Sequence, residues 1–194
     1  MVELFPAAAM AAGLSWASGI RLYMTLFAAG WLARLGWVTL PDSLQVLQSS
    51  WMLAITGGLF AVEFLADKVP GVDSVWDAIQ TFIRIPAGAV LGAAALGQAD
   101  PALTMVAGLL GGTFAAGAHA TKAGSRALIN TSPEPFSNWA ASFSEEALVL
   151  TGLWAAFFHP WVLVFILVLF ALLAWWLLPK VWRGLRWLAR RLAA

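Results

Sequence analysis

The sequence predicts an all-α, polytopic integral membrane helix bundle with six or seven membrane segments, on three observations. Hydrophobic residues make up 61% of the 194 positions and charged residues only 11%, with a mean hydropathy of +0.82. The apolar residues come in long runs, and a hydrocarbon core of ~30 Å takes roughly 20 residues of helix. The runs are rich in Ala and Leu and lack the alternation of a membrane strand, so helices that satisfy their own backbone are expected.

Taken in order, the apolar segments fall at about 4–18, 22–38, 51–66, 85–98, 101–120, 141–158 and 160–178. The first resembles a secretory h-region, but it carries Glu3 and no basic stretch, and it reads as a retained span. A single helix from Leu4 to Val38 would be ~52 Å long, too long for the bilayer, so the chain must break near Gly19. Pro41 opens a new element with Asp42 or Ser43 as its N-cap. The short links at Gln98–Pro101 and His159–Pro160 predict helical hairpins. Between Gly71 and Arg84, Val72, Val75, Trp76, Ile79 and Ile83 recur at helical spacing opposite Asp73, Asp77, Gln80 and Arg84. That pattern predicts a short amphipathic helix lying flat in the interface, separate from segment 85–98. Residues 180–194 form a basic amphipathic tail after a single membrane domain of residues 1–179. In the tail Trp182, Leu185, Leu188 and Leu192 oppose Arg183, Arg186 and Arg190.

With seven crossings, Arg34 stands alone on one side and the other ten of the 11 Lys and Arg residues fall on the other, which places the C-terminus inside. The 12 tryptophans suit interfacial belts. Small residues, including Gly88, Gly92, Gly108, Gly111, Gly112 and Gly117, allow close helix packing, and a homo-oligomer is compatible with so small a bundle. Residues 57–68 and 111–122 agree at six of twelve positions, an internal echo of the kind seen in transporters.

The candidate chemistry lies at two helix ends. Glu63 and Asp67, four apart, share a face, and Lys68 follows; an intramembrane carboxylate costs roughly 2.5–3.5 kcal/mol at a helix centre and needs a partner or a proton. His119, Lys122 and Arg126 make a cationic stripe ending on the same side. Their convergence would build a charged cavity near the cytoplasmic face, also drawing on Asp73, Asp77, Arg84 and Asn130 and holding a small ion or an anionic solute. Structural ion pairing and positive-inside anchoring explain the same residues without a ligand. Arg21, after the break, reads as a snorkelling turn residue, and Ser142 with Glu145 as a capping box for the sixth segment.

A net charge of +1 gives no reason to expect nucleic acid, and the absence of cysteine removes thiol chemistry and disulfides. No phosphate-binding glycine loop, zinc pattern or nucleophile elbow is present, so neither a cofactor nor an enzymatic activity is expected.

Three stretches carry a resemblance to a known family: Ser18–Leu26, Glu63–Asp77 and His119–Pro135. Together they resemble the bacterial integral membrane family catalogued as domain of unknown function 4126, over roughly residues 10–160. The resemblance implies a multi-span protein of a bacterial inner membrane. It also implies that Asp67, Lys68, Pro70, Asp73, Trp76 and Asp77 belong to one unit, and it carries no activity. From the residues, the leading expectation is a small-solute or ion transporter or channel. The alternatives are a lipid-binding or flippase-like protein and a non-catalytic membrane scaffold.

Overall fold

A computed structural model describes residues 4–69, 71–97, 99–131 and 135–192. Pro70, Gln98 and Ser132 to Glu134 lie outside the described residues, as do the side chains of Leu185, Leu188 and Leu192 on which the tail's apolar face rests. Among the described residues the chain forms seven α-helices and no strand: α1 (Leu4–Ile20), α2 (Leu22–Arg34), α3 (Ser50–Ala66), α4 (Val72–Ala95), α5 (Pro101–Ile129), α6 (Pro135–Phe158) and α7 (Pro160–Leu192). A 3-10 helix, Asp42–Gln48, precedes α3 at an angle of 69°. The expected break is real. Arg21 alone leaves helical geometry, at φ −142° and ψ 92°, between α1 and α2.

A short apolar helix, α1, sits at the centre. Every residue of α1 from Gly13 to Ile20 is buried, and the helix packs on α4, α5, α6 and α7. Its Ala, Gly and Ser side chains are small enough for neighbouring backbones to approach. Ser15 Oγ donates to the Gly88 carbonyl at 2.8 Å. A Cβ on Gly88 would collide with the Ala115 side chain and lie 3.0 Å from the Gly111 oxygen. Gly88→Val is therefore expected to force α4 off α5 and to destabilise the fold by about 1–3 kcal/mol. Gly58→Ala, whose Cβ meets nothing within 4 Å, is the matched control in thermal unfolding in detergent.

The helices alternate between two ends. At one, Phe5 meets Trp161 with ring centroids 4.5 Å apart, and Ser43 Oγ donates to the Ala94 carbonyl at 2.5 Å. At the other, the α1–α2 break, the end of α3, the start of α4, the end of α5 and the start of α6 converge. There the α3–α4 pair meets α5 through Lys122–Asp67 at 2.8 Å and Asn130–Asp73 at 2.7 Å. Residues 57–66 on α3 and 111–122 on α5 thus run in the same direction.

Several expectations need correcting. Among the described residues, three helices are long and apolar enough to cross a membrane, or four if the bent pair counts as one span, against the six or seven expected. The helices α1 and α2 have 17 and 13 residues, ~26 and ~20 Å of rise, and α6 carries Ser142, Glu145 and Glu146 in its first half. Segments 71–84 and 85–98 are one 24-residue helix with Pro86 inside it. Its polar face is not at an interface: Asp73, Asp77, Gln80 and Arg84 are buried, while Val75, Ile79 and Phe82 are exposed. The fifth segment extends to Ile129 and the sixth starts at Pro135, so Ser142 and Glu145 stand inside a helix and cap nothing. The element expected after Pro41 is the 3-10 helix Asp42–Gln48, but its N-cap position is Pro41 rather than Asp42 or Ser43; α3 is capped by Ser49, which accepts from the Met52 amide at 3.3 Å.

Candidate functional site: a buried ladder of ion pairs

A helix in lipid turns its polar stripe toward other helices, because a charge against hydrocarbon has no partner. Four helices and the α1–α2 break do this at one end of the bundle, and their charges meet. The deepest rung lies midway along α4. There Arg84 Nη2 donates to Glu63 Oε1 at 2.6 Å and Nη1 to Asp77 Oδ1 at 2.9 Å, all three side chains at most 2% exposed. His119 Nδ1 is 3.2 Å from the same Arg84 Nη1, and its Nε2 is 2.7 Å from Thr81 Oγ1. A guanidinium nitrogen only donates, so Nδ1 accepts. Thr81 gives its own proton to the Asp77 carbonyl, so Nε2 carries the hydrogen and the ring is neutral.

The middle rung centres on Asp67, one residue past α3. Its Oδ2 receives Lys122 Nζ at 2.8 Å and Arg21 Nη2 at 2.9 Å. Burial pushes the Asp67 carboxyl up, but Lys122 and Arg21 outweigh it and hold the group below the ordinary aspartate range. Lys122 also lies 3.3 Å from Asp77 Oδ1, joining this rung to the one below. Arg126 grips Glu145 with two bonds, Nε at 2.8 Å and Nη2 at 3.0 Å. Its Nη1 donates to the Asp67 and Asn138 carbonyls, where it neutralises the C-terminal end of α3.

The outer rung is partly open to solvent. Glu145, Glu146 and Lys68 have side chains 14%, 15% and 13% exposed. Lys68 Nζ lies 3.7 Å from Glu146, and 3.0 Å and 4.7 Å from the Phe64 and Phe143 ring centroids. Burial lowers the proton affinity of its ammonium. Asp73 and Asn130 stand to one side: the Asn130 amide donates to both Asp73 oxygens at 2.7 and 2.9 Å and fastens the start of α4 to the end of α5.

All ten sequence-expected residues thus gather in one cluster. The sequence reading missed Arg21, which is fully buried and reaches Asp67, Ser142, Glu145 and Glu146 rather than snorkelling. It also missed Asn138, Glu145 and Glu146 as members. The signal for the two glutamates was available: adjacent acids inside an otherwise apolar segment need cations. A groove of ≈ 990 Å³ lies elsewhere, along α4 and α5, and is lined by apolar residues such as Ile85, Ala89, Met105 and Leu109. Among the described residues no group of three or more His, Asp or Glu side chains has the arrangement to hold a metal ion.

The model of a family described as "Domain of unknown function (DUF4126)" matches residues 8–180, spanning the whole ladder. No curated protein and no solved structure matches the chain.

Proposed function

The chain belongs to the domain of unknown function 4126 family, whose description leaves the activity open, and from the site itself we propose an integral membrane protein that moves a small ion or solute through the ion-pair ladder. In this reading the helices α1 to α7 all contribute to crossing an inner membrane, with α1 running to the ladder end and α2 running back from it after the break at Arg21. The end bearing Lys68, Arg126 and the terminus of α7 faces the cytoplasm, by the excess of Lys and Arg there. One observation carries the proposal: charges descend from a partly solvated rim at Glu145, Glu146 and Lys68 to Arg84, halfway along a membrane-length helix. Charge at that depth is costly and is characteristically kept for conduction paths and relays. Beyond Arg84 the path is closed by the packing of Ser15, Gly88, Gly92 and Gly111, as a transporter closed on one side requires.

The test is solute and ion flux in liposomes reconstituted with the whole chain. Glu63→Gln combined with Lys122→Ala is expected to reduce flux roughly 100-fold, with circular dichroism confirming that the helices persist. Unchanged flux removes the ladder from the mechanism. The scaffold reading has its own support, since each ladder charge has an internal partner. It requires that wild-type liposomes show no flux above empty vesicles.

A further inference from the structure

We infer that the ion handled by the ladder is a proton, seated on Glu63; this rests on the transport reading above and names its substrate. The first observation is the charge balance. Among the described residues, six carboxylates (Glu63, Asp67, Asp73, Asp77, Glu145, Glu146) share the cluster with five cations (Arg21, Lys68, Arg84, Lys122, Arg126). His119 adds no charge, because its Nδ1 is committed as an acceptor to Arg84. With every acid ionised, the cluster holds one surplus negative charge in a setting where uncompensated charge is costly.

The second observation concerns polar atoms with no hydrogen-bond partner among the described residues. Seven buried atoms of the cluster are in this position: the acceptors Glu63 Oε2, Asp67 Oδ1, Asp77 Oδ2 and Gln80 Oε1, and the donors Arg21 Nε, Arg21 Nη1 and Arg84 Nε. Their mixture decides the ligand class. A metal cation is attracted by the four acceptors but repelled by the cationic groups that own the three donors, and the carboxylates do not converge as ligands. A proton relayed by water suits both kinds of atom, because water donates and accepts.

Glu63 is the seat. It lies at the inner end of the ladder, wholly buried, with one oxygen bound to Arg84 and the other unpartnered. Among the described residues Arg84 is the one cation that pairs with it within 4 Å. Asp77 competes with it for Arg84 from α4, and His119 faces that same guanidinium from α5. A proton entering past Glu145 and Glu146 ends on Glu63 Oε2; the carboxylate becomes the acid, no electron moves, and the surplus charge is cancelled.

Two measurements on the full chain test this. Infrared spectroscopy at neutral pH is expected to show the carbonyl stretch of a protonated carboxylic acid, shifted in heavy water and lost in Glu63→Gln. Should Glu63→Gln fail to fold, Glu63→Asp is expected to keep the band at a displaced frequency. In liposomes enclosing a pH-sensitive dye, an imposed pH gradient is expected to collapse through the wild-type protein, roughly 100-fold more slowly through Glu63→Gln. Absence of the infrared band, or a band unchanged in Glu63→Gln, overturns the assignment of Glu63. Tracer sodium or potassium flux without proton movement overturns the proton and leaves the transport reading standing. A protein with the band that moves neither protons nor tracer cations overturns the transport reading, and this inference with it.

Discussion

Arg84→Met is expected to destabilise the protein by about 3–5 kcal/mol, the usual effect of removing one partner from a buried ion pair. The size follows from exclusivity. Arg84 is the only cation within 4 Å of Glu63 in the described network, and it donates the shortest contact to Asp77. Without it, Glu63 has no cation to balance it whenever its proton is absent, and Asp77 keeps only Lys122 at 3.3 Å. His119 also loses the donor to Nδ1. Adding Glu63→Gln to Arg84→Met is expected to recover much of the loss, since a whole buried pair replaced by neutral groups is often close to neutral. Unfolding in detergent by heat or denaturant measures both. A loss under about 1 kcal/mol in Arg84→Met would mean that water, rather than Arg84, already compensates the two acids.

The rescue separates two roles that a single substitution confuses. If Arg84 acts only as a lock, the double variant regains stability and keeps any flux. If Glu63 is the working group, stability returns and flux does not.

How far the sequence alone reaches is visible in α4. Its helical period was legible: Asp73, Asp77, Gln80 and Arg84 recur on one face and Val72, Val75, Trp76, Ile79 and Ile83 on another. The direction of that face was not legible. A helix on the membrane surface and a helix inside a bundle share this periodicity, and differ only in what the polar face meets. The partners are Glu63, 21 positions from Arg84, and Asn130, 57 positions from Asp73, so no local window contains the answer. Glu63 and Asp67 were easier to connect with His119, Lys122 and Arg126. Both groups end long apolar runs, and the hairpin count puts those ends on one side.

Arg21 shows the opposite case. The break was legible, because no helix of 35 residues fits the bilayer, and it falls within two residues of Gly19. The burial of its arginine was not, since a turn residue at a membrane surface and one folded beneath α6 have identical neighbours in sequence. Span number failed for a related reason. Hydropathy counts apolar runs, while α1, with only 17 residues, is central because its neighbours surround it rather than because it is long.

Asp67→Asn is expected to cost about 1.5–3 kcal/mol, the range for a hydrogen bond to a charged group and less than Arg84→Met, even though Asp67 is the hub of the middle rung. Redundancy explains the difference. After the substitution Lys122 keeps Asp77 at 3.3 Å and Glu145 at 3.6 Å, and Arg21 keeps Glu145 and Glu146 at 3.3 and 3.4 Å. A double-mutant cycle of Asp67→Asn with Lys122→Met is expected to show coupling of about 0.5–3 kcal/mol, as contacting charges do. Acidity gives an independent reading. A carboxyl held below its unfolded-chain value contributes stability that is present above that value and lost as pH falls through the lower folded value. The stability gap between wild type and Asp67→Asn is therefore expected to be widest near neutral pH and to close as the solution becomes acidic. A gap that does not change with pH, together with an additive cycle, would show that Asp67 does not hold Lys122 and Arg21 together. The break between α1 and α2 would then need another anchor.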